Sequence, residues 1–265
     1  MVPIPVRVAV LCHGLLLATH LYAQEADVKQ IIANSVAANE RDFNAAPNFN
    51  WKERDRTPVG SKTYQVTIIE RTPYNRLIEL NDSPLSRERQ EQEMQKQKEE
   101  TQRRRSESPD VRRERIAKYE KERTRDHNML QQLAKAFDFQ LMGTKRVRGF
   151  HVWILKATPR PGYQPPNMDT QVLLGMQGEM WIDQKTYQWV RVQATVMHPV
   201  SIEGFLAQVE PGTQFEVEMS PVTEGVWQYT HYAMRAHARV LFMFKHNSQA
   251  DETYWDYQPV AQPAN

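Results

Sequence analysis

The stretch Gly178–Val196 decides the fold of this 265-residue chain, and it reads GEMWIDQKTYQWVRVQATV. Its centre, Asp183–Thr186, carries polar residues typical of a tight turn between two strands. After the turn, apolar and polar residues alternate, as they do in a strand with one buried face. The apolar side of that strand consists of Val190, Val192, Ala194 and Val196. The stretch therefore predicts a β-hairpin with one apolar face.

The alternation continues along much of the chain and predicts a large sheet. We expect strands at residues 62–70, 74–80, 139–144, 150–158, 173–183, 189–197, 202–210, 214–220, 226–229, 231–245 and 253–257. The connections after residue 139 are too short for crossover helices, so the sheet should be antiparallel. The apolar sides of the later strands contain Phe215, Val217, Met219, Met234, Ala236, Val240 and Phe242. With the four apolar residues of the hairpin, these are the candidate ligand-lining residues.

Three helices are expected beside the sheet. Residues 27–39 carry apolar side chains at helical spacing, with Asp27 as the N-cap, and residues 44–58 should form a loop. Residues 86–126 contain 14 Lys/Arg and 11 Asp/Glu. A Ser-Pro step at Ser108 divides this region into helices at 84–105 and 109–137. The amphipathic end of the second helix should pack on the core, whereas the charged part should lie in water.

These elements predict an α+β fold. A sheet of roughly eleven strands tends to curl, and few helices are available to cover its apolar face. We expect a long curved antiparallel sheet, a half-barrel, with helices on its concave side and an inserted charged helical pair. Such a fold has an apolar cleft between sheet and helices. Whether that cleft is open or filled by the helices is left open by the sequence.

The N-terminus has the pattern of a secretory signal peptide at residues 1–23. Arg7 precedes an apolar run from Val8 to Ala18, and Ala23 offers a small residue for cleavage. The alternative is an uncleaved anchor, but the run is shorter than the ~20 residues of a spanning helix. The chain would be periplasmic or otherwise exported, with no later transmembrane segment. Residues 24–258 would form one domain containing the helical insertion 84–137, and residues 259–265 a disordered tail.

Composition limits the chemistry that the exported chain could perform. Its single cysteine, Cys12, lies within the predicted signal, which excludes disulfides and thiolate sites afterwards. The net charge of +2 gives no argument for nucleic acid binding. His231 and His237 would lie ~20 Å apart along one strand, too far to share a metal ion. No catalytic constellation, metal-ligand spacing or cofactor motif is recognisable, so we expect no enzyme.

The hairpin also resembles a known family. Gly178-Glu179-Met180-Trp181-Ile182-Asp183, followed by Thr186 and by Val190-Arg191, is similar to the G-x-x-W-I-D…T…V-R hairpin of LolA-like outer-membrane lipoprotein-sorting proteins. That superfamily includes LolA, LolB, LppX and RseB. The resemblance covers mainly residues 25–80 and 139–258. It implies an N-terminal helix before an antiparallel half-barrel, and a cleft that holds acyl chains or a hydrophobic peptide.

Two functions follow as expectations. The first is an exported envelope protein that binds a lipid, a lipoprotein acyl chain or another hydrophobic ligand in the cleft, without catalysis. The second is an envelope interaction or sensor protein that docks a protein partner through the charged helical pair or through a sheet edge. The sequence does not identify the ligand, the partner or the oligomeric state.

Overall fold

The computed structural model of the chain describes residues 27–202, 207–240 and 244–260. Its helices are α1 (Val28–Ala45), α2 (Arg87–Arg105) and α3 (Pro109–Ala136), with short 3₁₀ helices at Ala46–Asn48 and Asp169–Gly175. A polar side chain caps each α-helix, because it accepts a hydrogen bond from an otherwise unpaired backbone N–H. The caps are Asp27, Ser86 and Ser108. The three predicted helices are therefore present, and α1 extends six residues beyond its expected end, from Asn39 to Ala45.

The described residues form one sheet of thirteen strands. The strands are β1 (Phe49–Thr57), β2 (Gly60–Ile69), β3 (Thr72–Leu80), β4 (Ser83–Pro84), β5 (Phe137–Val147), β6 (Phe150–Pro159), β7 (Met176–Asp183), β8 (Trp189–Val196), β9 (Val200–Ile202), β10 (Ala207–Val209), β11 (Gln214–Thr223), β12 (Val226–Val240) and β13 (Phe244–Pro259). Their order is β4-β3-β2-β1-β13-β12-β11-β8-β7-β6-β5, while β10 pairs with β12 and β9. Every pairing is antiparallel, and the α+β open sheet confirms the predicted fold class.

The sheet curves around its helices. Arg115 of α3 donates to the Glu70 carbonyl at the β2–β3 turn, and the same helix ends where β5 begins. The helix rises only ~32 Å over the 21 residues between Arg115 and Ala136. Nine strand spacings separate β3 from β5, or ~43 Å along a flat sheet. The helix, with one arginine side chain at its end, thus connects the two sides of the sheet across its concave face.

Several boundaries differ from the sequence-based expectation. Most of the segment expected to be a loop at 44–58 is strand β1, which pairs with β2 and β13. The expected strand 173–183 begins with the 3₁₀ helix Asp169–Gly175, and the expected strand 202–210 is the short β9–β10 pair. The expected strand 226–229 joins residues 231–240 in β12, where a bulge opposite Glu218 and Met219 keeps the ladder continuous. The expected strand 231–245 was too long, because Phe244 and Lys245 begin β13 and pair back onto β12. A bulge adds a residue without ending a strand.

The charged helical pair is attached to the sheet more firmly than expected. The Arg104 side chain is 8% exposed. Its guanidinium donates to the carbonyls of Ile69, Thr72 and Pro73, and to the Thr72 hydroxyl. These acceptors belong to the β2–β3 turn and to the start of β3, so the arginine satisfies polar groups near the sheet edge. The prediction that this charged region lies entirely in water was wrong for Arg104.

The predicted signal peptide and most of the predicted tail lie outside the described residues. At the C-terminal end, β13 extends to Pro259, and the Val260 N–H donates to the Asn48 carbonyl. Within the described part of the chain, no helix combines the length and the apolar character needed to span a bilayer.

Candidate functional site

One row of directly paired residues crosses the concave face from edge to edge. Residues that pair across antiparallel strands share a face of the sheet. The row runs Leu141, Leu155, Met180, Val192, Val217, Tyr232, Glu252, Asp55, Lys62 and Leu80. Its first five members pack in or against the core formed with α1. We call β5–β8 and β11 the apolar half of the concave face, and β13, β1 and β2 the acidic half.

Seven of the eleven candidate lining residues lie on the apolar half. Val190, Val196 and Met219 are buried, while their partly buried neighbours Val192, Ala194, Phe215 and Val217 pack against the core clusters. Met234 and Ala236 are half-buried on β12. Val240 ends that strand, and Phe242 lies outside the described residues. The predicted apolar surface is therefore contiguous over β8, β11 and β12, and its role in binding stays a prediction.

The helices fill most of the space above this surface. A cavity of about 10 Å³ remains between α1, the end of α3 and the sheet, which is comparable to the space that holds one water molecule. Its walls include Ile32, Leu133, Phe139, Met180 and Trp189. None of the eleven candidate lining residues borders this cavity. In this conformation an acyl chain would need α1 or α3 to move.

Helix α1 contacts the sheet through a line of buried polar groups. The Trp189 indole donates to the Ser35 hydroxyl at 2.6 Å, and the Gln188 amide donates to the Ala38 carbonyl at 3.5 Å. Nearer the end of α1, the backbone N–H of Trp227 donates to the Asp42 carboxylate at 3.0 Å. Buried polar contacts of this kind fix the orientation of a helix, but each depends on its partner remaining in place.

Asp42 is the buried carboxyl of this contact line, at 3% exposure. Burial raises its pKa to about 6, although the hydrogen bonds from the Trp227 N–H and from Gln188 and the charge of Arg41 act in the opposite direction. The sequence-based prediction ended α1 at Asn39 and so missed this residue. Its spacing from Ile31, Ser35 and Ala38 places it on the same buried helix face.

The contacts between α1 and α3 lie on another side of α1. The Phe43 ring stacks on His127 at 4.0 Å between centroids, and the Arg123 guanidinium lies 4.0 Å from the same ring. Arg123 also donates twice to the Phe43 carbonyl, while Nε2 of His127 lies 2.7 Å from Glu40. These contacts connect the end of α1 to the middle of α3, so the two helices cover the apolar half together.

Carboxyl groups and tyrosines make up the acidic half. Glu53 pairs with Tyr254 on one side and Tyr64 on the other, and Asp55 pairs with Glu252. Burial is the largest influence on Glu53 and raises its pKa to about 7; a hydrogen bond with Asp55 and the charge of Glu252 act in the same direction. The Tyr254 hydroxyl donates to Glu252, and burial with that contact raises the pKa of Tyr254.

The histidines of β12 do not come together. His231 lies 3.3 Å from Asp251 and His237 lies 3.1 Å from Asn247, each on a different part of the strand. Among the residues that the structure describes, no group of three or more His, Cys, Asp and Glu side chains is placed to hold a metal ion.

Comparisons with known proteins add distant similarities. No family model and no curated protein matches the chain. Among solved structures, it is similar to a DUF1329 family protein from Desulfovibrio piger, with 10% identity and a TM-score of 0.33 over 91% of this chain and 96% of that one. It is also similar to the Pseudomonas aeruginosa MucA/MucB complex, with 9% identity and a TM-score of 0.25 over 86% and 100%.

A third similarity concerns the family named by the hairpin motif. A domain described as an outer membrane lipoprotein-sorting protein, from Vibrio parahaemolyticus, matches with 13% identity and a TM-score of 0.25. The match covers 48% of this chain and 43% of that chain, less than half of either. A lipoprotein-sorting domain is thus among the structures to which this chain is similar, while the fold itself is established by the strand order and register.

Proposed function

We propose that this protein is a non-catalytic binding protein of the bacterial envelope, which receives a lipid, a lipoprotein acyl chain or a comparable apolar chain on the apolar half of its concave face. The observation that carries this proposal is the row of apolar side chains across five strands, covered by helices rather than by a second sheet. A helix can leave such a surface without breaking any strand pairing.

The energetics of the exchange support the proposal. When α1 leaves, the surface around Met180, Val190 and Met219 loses its apolar cover. An acyl chain that replaces the helix restores burial at ~0.8 kcal/mol for each methylene removed from water. A chain of a dozen or more methylenes can therefore offset the lost packing of a short helix face. Short-chain ligands cannot do this, so the binding affinity should depend steeply on chain length.

A chain-length series tests the proposal directly. Saturated fatty acids of about 8, 12 and 16 carbons compete against a fluorescent fatty acid on the purified mature chain, and the dissociation constants are compared. We expect each added methylene to tighten binding about threefold to fourfold until the surface is filled. Native mass spectrometry of protein purified from a periplasm should show a bound lipid. A bare protein together with no competition at any chain length would contradict the proposal.

Two substitutions on β8 provide a matched pair for this assay. Val192 belongs to the concave row, whereas Thr195, three residues along the same strand, points to the other face. Val192→Thr places a hydroxyl in the apolar half at nearly constant volume, and should weaken binding about tenfold because that hydroxyl lacks a partner. Thr195→Val makes the reverse change on the other face and should leave affinity within twofold.

One observation favours the alternative, an interaction or sensor protein. Arg104 and Arg115 hold α2 and α3 on the β2–β3 turn, and charged side chains such as Arg87 and Arg113 remain exposed at 94% and 78%. A partner that docks on this surface should be lost when Arg87, Arg89 and Arg113 are changed to Glu, with the arginines that contact the turn retained. Capture of an envelope protein that survives these changes would exclude this surface as the contact.

A further inference from the structure

One oxygen of the Asp42 carboxyl group accepts a hydrogen bond, and the other has no hydrogen-bond partner. Oδ1 accepts the Trp227 N–H at 3.0 Å, whereas Oδ2 is buried with no hydrogen-bond donor. The side chain lies in the last turn of α1, where the helix dipole disfavours a negative charge. A buried carboxylate oxygen without a donor costs free energy, and a proton on that oxygen removes the charge.

The neighbouring amide of Gln188 can accept that proton's hydrogen bond. Gln188 is 1% exposed, and its side chain lies within hydrogen-bonding reach of Asp42. Its Nε2 donates to the Ala38 carbonyl on α1, while its Oε1 is buried without a partner. The Gln188 contact lowers the pKa of Asp42, but burial outweighs it. Oδ2 of Asp42 and Oε1 of Gln188 are both buried without a partner, on facing elements. A proton on Oδ2 removes the buried charge and supplies a donor for Oε1.

Few charged groups compensate the carboxylate. On α1 the neighbouring residue Arg41 acts on it. The turn between β7 and β8 carries Asp183, whose Oδ2 is occupied by the N–H groups of Lys185 and Thr186 and by the Thr186 hydroxyl.

The other two elements around the end of α1 add little compensation. On α3, Arg123 and His127 are engaged with the Phe43 carbonyl and with Glu40. The start of β12 presents Trp227 and Gln228, which carry no charge; the Gln228 amide donates to the Asp42 backbone carbonyl.

We propose that Asp42 is a proton-operated latch, which holds the C-terminal half of α1 on the sheet when protonated and loosens it when ionised. This inference deepens the proposed function, because α1 covers the apolar half that would receive the ligand. The protonated carboxyl bonds the Trp227 N–H and the Gln188 amide together and keeps α1 docked. The carboxylate favours conformations in which α1 lifts and Asp42 reaches water.

The direction of the pH dependence follows from the raised pKa of Asp42. Its pKa is about 6 in the docked state and 3.8 in its usual environment. The docked state therefore holds the proton more tightly, and docking weakens as the pH rises from about 4 to about 6. Above that range the loss is complete, and the docking equilibrium has shifted by up to about 100-fold. At the pH of most envelope compartments, α1 would be in its looser state.

Hydrogen exchange followed by mass spectrometry on the mature chain tests the latch without any ligand. Asp42→Asn places an amide donor beside Gln188 at every pH. At pH 7.5 the α1 amides of the natural protein should exchange up to about 100-fold faster than those of Asp42→Asn. At pH 4 the two proteins should agree within threefold. Comparing the two proteins at the same pH cancels the intrinsic pH dependence of exchange.

Two references keep the interpretation unambiguous. Asp169→Asn removes an exposed carboxyl in the 3₁₀ helix and should leave α1 exchange unchanged at both pH values. Amides of β6 and β7 report global unfolding, and should differ far less between the proteins than those of α1. The latch is overturned if Asp42→Asn exchanges as fast as the natural protein at pH 7.5. It is equally overturned if β6 and β7 change as much as α1.

A neutral apolar dye then separates this inference from the proposed function. N-phenyl-1-naphthylamine should bind the natural protein better at pH 7.5 than at pH 4, and the pH dependence should vanish in Asp42→Asn. If α1 exchange follows the latch but neither the dye nor fatty acids bind at any pH, the latch stands and the binding function fails. If ligands bind with no dependence on Asp42 and α1 exchange is unaffected, the binding function stands and the latch fails.

Discussion

The two halves of the concave face are held by different forces. The apolar half presents Leu155, Met180 and Val217 to α1 and α3, and burial of apolar surface dominates there. In the acidic half, Glu252, Asp55 and neighbouring tyrosines lie on paired strands, and the Tyr254 hydroxyl donates a hydrogen bond to Glu252. The same row of the same sheet thus changes from an apolar to an ionisable surface at β12. A ligand-binding surface for an acyl chain would end at that strand.

Leu155→Ala should cause the largest loss in the free energy of unfolding. Leu155 is fully buried at the centre of the apolar half, and truncation leaves a cavity that the rigid sheet cannot fill. We expect a loss of about 3–4 kcal/mol in the free energy of unfolding, measured by urea denaturation. Lys62→Ala changes an exposed member of the same row in the acidic half and should cost less than about 0.5 kcal/mol. Equal losses would show that the two halves do not differ as described.

Arg104→Lys, at the β2–β3 turn beside the acidic half, should lower the free energy of unfolding by an intermediate amount. The guanidinium donates to three carbonyls and one hydroxyl at the β2–β3 turn, and a lysine ammonium cannot reach all of them. We expect a loss of about 2 kcal/mol, measured by thermal or urea unfolding. Arg103→Lys is the matched control, since Arg103 is 53% exposed and contacts only side chains of its own helical region. A loss of less than about 0.5 kcal/mol in both variants would remove the structural role assigned to Arg104.

Glu53→Gln should have the smallest effect on the free energy of unfolding, and the size of that effect depends on pH. The pKa of Glu53 is raised to about 7 in the fold from an ordinary value of 4.5. The folded state therefore binds the proton more tightly, and its contribution to stability falls as the pH rises from about 4.5 to about 7. At pH 8 we expect Glu53→Gln to be about 1 kcal/mol more stable than the natural protein, and at pH 4 nearly equal to it. Urea unfolding at both pH values measures this, and a destabilised variant at pH 8 would contradict the assignment.

The alternation of apolar and polar residues was sufficient to predict the strands of the apolar half. Val190 to Val196 and Phe215 to Met219 have one apolar side, and the structure places these strands side by side. The charged helices were also predictable. Ser108 is a polar capping residue, and Pro109 directly after it favours the first position of a helix. In both cases the local sequence and the final packing favour the same element, which is when prediction from sequence works best.

Strand β1 of the acidic half was missed because its pattern is polar on both sides. In β1, Glu53 and Asp55 face the concave side and alternate with Lys52, Arg54 and Arg56, so no apolar periodicity marks the strand. Its strand conformation is fixed by pairing with β2 and β13, nearly two hundred residues away in the latter case. This strand pairing is a tertiary effect that short-range sequence patterns do not encode. Asp42, in contrast, continues the helical spacing of the buried face of α1 and was missed because the helix was expected to end at Asn39.

The position of β13 has a consequence for biogenesis. This last strand lies between β1 and β12, and joins β1–β3 to the strands that follow the helices. A chain that is synthesised from its N-terminus can assemble two partial sheets, but it cannot unite them until residues 244–259 have been made. Such long sequence separation slows folding and leaves strand edges unpaired in the meantime. Truncation before residue 244 should therefore yield a chain with two partial sheets that no strand joins, rather than a slightly shortened protein.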